Sequence, residues 1–213
     1  LYEWAGLAGI TDKTGKLLYV FTNACAIAWL AWADSPDNTG LKTAVMIGVV
    51  FCLISLVWLR HFNFAREQTI RNKTIKLMAG SLSCIPAWAA LVLIHDSSQG
   101  HYWTLFAIGM IAASDSGAYL FGVNFGKHKL APNISPGKSW EGFWGGLATT
   151  VVFALVCMPL FDGTWPDAWR FALLAMATAL FSVSGDLFES LLKRHAMIKD
   201  SSNLIPGHGG MLD

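Results

Sequence analysis

The chain has 213 residues, of which 54% are hydrophobic and only 14% are charged, and its formal net charge is +1. A typical globular chain carries about 25% charged residues, so this composition indicates a chain dissolved in lipid. It argues against a disordered region, a disulfide scaffold or a nucleic-acid-binding module, and the near-zero net charge predicts no bulk attraction to an acidic partner.

Six apolar windows follow one another along the chain. They are residues 17–33, 43–59, 77–94, 102–123, 143–161 and 171–192. A membrane helix needs about 17–25 apolar residues, and a helix satisfies its own backbone groups in lipid. Turn-forming residues such as Ser35-Pro36-Asp37-Asn38 separate the windows. We therefore predict an all-α polytopic integral membrane protein with about six transmembrane helices.

The basic residues predict the orientation of these helices. If six spans alternate, segments 1–16, 60–76, 124–142 and 193–213 lie on one side and hold thirteen of the fifteen Lys and Arg residues, and the other side holds only Lys42 and Arg170. Positive charge accumulates on the cytoplasmic side of membrane proteins. We therefore expect the first side, with any polar site among its loops, to face the cytoplasm.

Three carboxylates interrupt the apolar windows, namely Asp115 in the fourth and Asp186 and Glu189 in the sixth. The spacing of Ser182, Asp186, Glu189 and Lys193 predicts that these four share one helical face. Each carboxylate costs about 2.5–3.5 kcal/mol at the centre of a membrane helix. A buried hydrogen-bonding network is one interpretation, and a Mg²⁺ site is the other, because Mg²⁺ binds one or two carboxylates together with substrate phosphates.

The segment 126–142, rich in glycine and proline, predicts a tight loop in which Ser135, Lys138 and Ser139 offer two hydroxyls and an ammonium to phosphate oxygens. Its spacing is not that of a Walker loop. A basic loop that faces lipid headgroups is the alternative interpretation.

Residues 190–213 form the densest polar stretch. Three cations adjoin the acidic helix end, and the glycines after His208 allow close backbone approach to a ligand. Asp213 could return a further carboxylate to a metal. The members of this stretch that we select are Ser190, Lys193, Arg194, Lys199, Asp200, His208, Gly209, Gly210 and Asp213.

These polar stretches make the sequence resemble the phosphatidate cytidylyltransferases. The residues that match the signature of that family, at the right spacing, are Ser190, Lys193-Arg194, Lys199-Asp200, Pro206, His208-Gly209-Gly210 and Asp213. The stretches Ser114–Tyr119 and Ser135–Gly142 look like two further characteristic stretches of that family. The family pattern continues beyond the last Asp, and the chain opens at Leu1 without a methionine. We therefore expect residues 1–213 to be a single membrane-embedded catalytic domain and part of a longer polypeptide.

The resemblance implies an enzyme of a bacterial-type inner membrane that joins CTP to phosphatidate, giving CDP-diacylglycerol and pyrophosphate. It implies Mg²⁺, and it leaves open a second cation, divalent or monovalent, and a homodimer. The implied catalytic residues are Lys138, Lys193, Arg194, Lys199, Asp200 and His208. The implied substrate-binding residues are Ser114, Ser116, Ser135, Ser139, Ser190, Gly209 and Gly210. The implied metal ligands come from the set Asp115, Asp186, Glu189 and Asp213.

Two other classes of function remain open from the residues alone. A cation- or proton-coupled transporter would also place carboxylates inside membrane helices. Another CTP-dependent lipid enzyme, such as a polyprenol kinase, would transfer the γ-phosphoryl group and release CDP.

Overall fold

The computed structural model describes residues 1–202 and 209–212, and helices dominate this part of the chain. The described elements are α1 (Tyr2–Leu7), α2 (Lys13–Ala33), α3 (Thr39–Arg60), α4 (Ile70–His95), α5 (Gly100–Phe125), β1 (Lys129–Ala131), β2 (Ser135–Ser139), α6 (Trp140–Cys157), short 3-10 helices at Met158–Phe161 and Trp165–Asp167, and α7 (Ala168–His195).

Six of these segments, α2 to α7, are long and apolar enough to cross a membrane, which confirms the predicted polytopic all-α class. Many of their large apolar side chains point outward, and Trp32 is 84% exposed, as expected of surfaces that contact lipid. The helices extend beyond the apolar windows because polar caps set their ends. The Asp12 carboxylate accepts from the Gly15 amide at 2.6 Å, and the Thr69 hydroxyl accepts from the Asn72 amide at 3.3 Å.

The described chain divides into two compact units. The first unit comprises Leu1–Asp96 and Phe188–Asp213. At its core the Phe188 ring lies 5.2 Å from the Trp58 ring and 6.2 Å from the Trp4 ring, measured between centroids. The indole of Trp4 also donates a hydrogen bond to the Lys76 carbonyl at 2.8 Å. This bond fixes the short helix α1 on α4.

The second unit is Ser97–Leu187, and its core is the contact between α5 and α6. Glycines permit a close approach of the two helices, since a Cβ atom at Gly146 would lie 2.7 Å from the Ser114 carbonyl oxygen. A Cβ atom at Gly145 would overlap the Phe121 ring. Small residues at a helix contact allow the backbones to pack directly.

A two-stranded antiparallel hairpin, β1 with β2, stands between α5 and α6 in the second unit. Lys129 pairs with Ser139 and Ala131 with Ser135, with a register irregularity between them. The sequence predicts only a tight loop here. Strands of three and five residues that include Pro136 and Gly137 show no alternation of apolar and polar residues, so the pairing carries no periodic signal.

Candidate active site

A cavity of about 250 Å³ lies in the second unit, where α5, the hairpin, α6 and residues 183–186 of α7 meet. Charged groups occupy part of its wall and apolar groups the rest. Its lining residues are Asp115, Ala118, Tyr119, Gly122, Leu130, Gly137, Lys138, Ser139, Gly142, Phe143, Val183 and Asp186. The cavity therefore brings together four residues that the sequence selects for metal or phosphate chemistry, namely Asp115, Lys138, Ser139 and Asp186.

An ion pair joins two walls of this cavity. The ammonium of Lys138, on β2, contacts carboxylate oxygen Oδ2 of Asp186, on α7. The Lys138 side chain is 25% exposed and the Asp186 side chain 51% exposed, so a ligand in the cavity can reach both. Both groups are among the residues that the resemblance assigns to the reaction.

Hydrogen bonds hold both strands at the base of the hairpin, where Lys129 pairs with Ser139. On β2 the buried Ser139 hydroxyl accepts from the Gly142 amide at 3.1 Å and caps α6. Directly before β1 the Glu141 carboxylate accepts from His128 Nδ1 at 2.6 Å and from the Lys127 amide at 3.1 Å. These bonds fix the strand that carries the cavity lysine.

The predicted substrate-binding hydroxyls of the second unit occupy different surroundings. Ser139 lines the cavity, although its hydroxyl also caps α6. Ser114 is 1% exposed, and its hydroxyl has no hydrogen-bond partner among the described residues. Ser116 is exposed on α5, and Ser135 is half-buried in β2. In the described part of the chain, Ser139 is therefore the serine that the structure brings to the cavity wall.

In the first unit, Glu189 and Lys193 form an ion pair of 3.0 Å across one turn of α7. Their side chains are only 14% and 16% exposed, so the pair is largely withdrawn from water. The neighbouring Ser190 is half-buried and Arg194 is exposed. The carboxylate that the sequence offers to a metal here is therefore already neutralised by a lysine of the same helix.

The described residues after α7 differ in their exposure. Lys199 and Asp200 are exposed, and Gly210 is buried. A Cβ atom at Gly210 would lie 2.8 Å from each carboxylate oxygen of Glu3. Gly209 has a φ of +117°, a conformation that favours glycine. The close backbone approach expected of this doublet is seen here toward Glu3, and a contact with substrate stays a prediction.

The four predicted metal ligands do not form one cluster in the described part of the chain. Asp115 and Asp186 line the cavity of the second unit, and Glu189 belongs to the first unit. Asp213, like the predicted catalytic His208, lies outside the described residues. Among the described residues, no three or more His, Cys, Asp or Glu side chains form a group suited to a metal ion. Magnesium therefore stays a prediction.

The sequence does not predict a role for three polar residues that are deeply buried or have defined hydrogen-bond partners. Glu141 holds the hairpin, and Glu3 accepts hydrogen bonds from the segment after α7. Lys76 is fully buried on α4, and its ammonium has no hydrogen-bond partner among the described residues. The third apolar window begins directly after Lys76, which is the one local signal that this lysine belongs to a membrane helix.

Comparison with known proteins identifies the family. The model of the family described as "Cytidylyltransferase family" matches residues 1–213. The chain belongs to the cytidylyltransferase family. A phosphatidate cytidylyltransferase of Pseudomonas aeruginosa is 37% identical over 216 residues, covering 100% of this chain and 76% of the relative. One of Haemophilus influenzae is 42% identical over 229 residues, covering 100% of this chain and 80% of the relative.

A third relative matches only part of this chain. The phosphatidate cytidylyltransferase of Staphylococcus epidermidis is 44% identical over 116 residues, which is 54% of this chain and 44% of the relative. The two longer matches and the family model agree with the resemblance drawn from the motifs, and they confirm that this membrane protein is an enzyme of the cytidylyltransferase family.

Proposed function

We propose that this enzyme transfers the CMP group of CTP to phosphatidate, forming CDP-diacylglycerol and pyrophosphate. A phosphate oxygen of phosphatidate attacks the α-phosphorus of CTP. The bond from the α-phosphorus to the oxygen that bridges to the β-phosphorus breaks, and pyrophosphate leaves with that electron pair. The lipid phosphate is itself the nucleophile, so catalysis consists mainly of positioning and electrostatic stabilisation.

The observation that carries the proposal is the agreement along the whole chain. The cytidylyltransferase family model covers residues 1–213, and two relatives with full coverage of this chain are phosphatidate cytidylyltransferases. The membrane-spanning helices support the same assignment, because an enzyme that contains them can meet a diacyl lipid without removing it from the bilayer.

The cavity of the second unit has the chemistry that these substrates need. Lys138 supplies an ammonium for phosphate oxygens, and Phe143, Leu130 and Val183 supply apolar wall. Both substrates are anionic, so a cation beside the reacting phosphates lowers their mutual repulsion. The ion pair with Asp186 positions this ammonium at the cavity.

The donor set of the cavity is compatible with Mg²⁺. Asp115 and Asp186 each offer carboxylate oxygens to one space, and Mg²⁺ is commonly held by one or two carboxylates with substrate phosphates. We propose that these two residues hold the metal. When bound, it would neutralise phosphate charge. The protein's own contribution is to orient the phosphates and to place Lys138 beside them.

We also propose that the site faces the cytoplasm of a bacterial-type inner membrane. This orientation is supported by the thirteen Lys and Arg residues assigned to one side of the sequence against two on the other. CTP is a cytoplasmic nucleotide, so a site on that side meets one substrate in water and the other in lipid.

The experiment that tests this function uses the full-length protein in lipid nanodiscs that contain phosphatidate. CTP labelled on the α-phosphate is added with Mg²⁺, and label in the lipid is measured with the pyrophosphate released. We expect equal amounts of both and loss of both on chelation. Asp186→Asn should abolish transfer, and Asp162→Asn is the matched control because Asp162 is exposed in the same unit and Asn tolerates its φ of 54°.

Two other outcomes would reject the proposal. Label that enters lipid only from γ-labelled CTP, with release of CDP, would indicate a kinase. No label in lipid from a folded protein, together with movement of cations across a sealed vesicle, would indicate a transporter.

A further inference from the structure

The carboxylate of Glu3 accepts four hydrogen bonds from residues near the far end of the chain. Its Oε1 accepts from the Ser202 hydroxyl at 2.6 Å and from the Met211 amide at 3.0 Å. Its Oε2 accepts from the Ser201 hydroxyl at 3.2 Å and from the Leu212 amide at 2.8 Å. Each oxygen therefore receives one hydroxyl and one backbone amide. An ionised carboxylate is the side chain that accepts at both oxygens.

The chain is shaped for this contact. Gly210 is buried beside the carboxylate, and a Cβ atom there would lie 2.8 Å from both of its oxygens. Gly209 has the positive φ that glycine adopts most easily. The glycine doublet thus lets two successive amides, of Met211 and Leu212, point at one carboxylate.

Glu3 is itself held firmly. It lies on α1, whose Trp4, Ala5 and Leu7 are at most 5% exposed. The Trp4 indole donates to the Lys76 carbonyl of α4 at 2.8 Å. Since α1 is fixed on a membrane helix of the same unit, the carboxylate of Glu3 is a fixed point for the segment that binds it.

We propose that Glu3 is a positioning residue for the polar segment that follows α7. The residues it binds stand on both sides of positions 203–208 and directly before position 213, and Lys199 and Asp200 lie just before them. The carboxylate holds residues 201–202 and 211–212 in the conformation that CMP transfer requires. The anchoring follows from the four hydrogen bonds, whereas the catalytic consequence rests on the proposed function.

The test of anchoring is hydrogen exchange in the full-length protein in nanodiscs. In Glu3→Gln the side-chain NH₂ faces groups that are themselves donors, so the hydrogen bonds to one oxygen are lost. Met211 binds Oε1 and Leu212 binds Oε2, so we expect the one of these two amides that faces the new NH₂ to exchange at least about tenfold faster, the factor that corresponds to 1.4 kcal/mol. Glu67→Gln is the matched control, because Glu67 is exposed in the same unit and its carboxylate makes no hydrogen bond to a described residue.

The test of positioning is the kinetics of CMP transfer by the same variants. Glu3→Gln should lower kcat about tenfold, with KM for CTP altered less than kcat. Glu3→Asp keeps the charge and should restore part of kcat. Ser202→Ala in the Glu3→Gln background should cost less than Ser202→Ala alone, because the two side chains share one hydrogen bond.

The two assays test the anchoring by Glu3 and its positioning role separately. Unchanged exchange of Met211 and Leu212 in Glu3→Gln would overturn the anchoring, and faster exchange with an unchanged kcat would overturn the positioning role. If Glu3→Gln does not fold, Ser202→Ala takes its place in both assays. A wild-type protein that transfers no CMP would reject the proposed function, and the exchange experiment would still decide the anchoring by itself.

Discussion

Replacement of Lys138 by methionine separates the contribution of the cavity ammonium to activity from its contribution to stability. The ion pair with Asp186 is partly open to solvent, with the two side chains 25% and 51% exposed. Ion pairs in such surroundings contribute about 0–1 kcal/mol, and methionine keeps most of the apolar contacts of the lysine stem. We therefore expect Lys138→Met to change the free energy of unfolding by less than about 1 kcal/mol.

The same substitution should have a much larger effect on turnover. Loss of one preorganised group that stabilises charge in a transition state costs about 10²–10³-fold in kcat, or about 2.7–4 kcal/mol. Transfer of α-phosphate label from CTP to lipid measures this loss, and thermal unfolding in the same nanodiscs measures stability. Lys129→Met is the matched control, since Lys129 lies on the other strand of the hairpin and its side chain is exposed.

Two results would refute this reasoning. One is a Lys138→Met enzyme that keeps more than about a third of wild-type kcat. The other is an equal loss in Lys129→Met, which would mean that the general charge of the hairpin matters rather than the ammonium at the cavity.

Four further predictions concern positions in the two units. Gly145→Ala should destabilise the protein by about 1–3 kcal/mol in thermal unfolding, because its Cβ overlaps a neighbouring ring. Gly185→Ala, with no atom within 4 Å of the new Cβ, should stabilise α7 by about 0.5–1 kcal/mol. Glu141→Gln should speed hydrogen exchange at the His128 amide, because this amide donates a hydrogen bond to the Glu141 carboxylate at 3.2 Å. Burial alone would raise the pKa of Glu3, but hydrogen bonds from the segment after α7 lower it below the ordinary value of 4.5. The ionised carboxylate therefore stabilises the folded protein fully above pH 4.5, and this stabilisation is lost as the pH falls through the lowered pKa. Proteolysis of the segment after α7, measured at a series of pH values, tests this.

Each of these has a contrary outcome. Equal stability of the Gly145→Ala and Gly185→Ala variants would show that the close helix approach is not tight. Unchanged exchange at His128 would show that Glu141 does not hold the hairpin. Acid sensitivity of the segment that is the same in wild type and Glu3→Gln would assign the titration to another group.

The sequence predicts the membrane helices well because hydropathy is a local property. Each apolar window corresponds to one helix, and the differences lie at the ends, where α4 begins at Ile70 although its apolar window begins at residue 77. The Thr69 cap and the solvated polar residues after it extend the helix without adding hydropathy.

The sequence predicts only those residues of the candidate site that have a local signal. Asp186 is predicted because charge within an apolar window is costly, and Lys138 because its loop offers an ammonium to phosphate oxygens. The structure brings the two side chains into contact. Glu3 stands 198 residues before Ser201 in a short amphipathic stretch, so nothing in its local sequence indicates its partners. Glu141 is 13 residues from His128, and neither residue lies within a periodic pattern.

The two ends of the hairpin bear on how substrates enter. Ser139 is both the last residue of β2 and the cap of α6, and Glu141 ties the residues directly before β1 to the first turn of the same helix. A flap that opens by hinge motion needs a few residues free to change their backbone angles, and neither end of this hairpin offers them. Entry and exit at the cavity should therefore depend on rotamer changes of exposed lining side chains such as Tyr119, which take picoseconds to nanoseconds, rather than on slow gating of a loop.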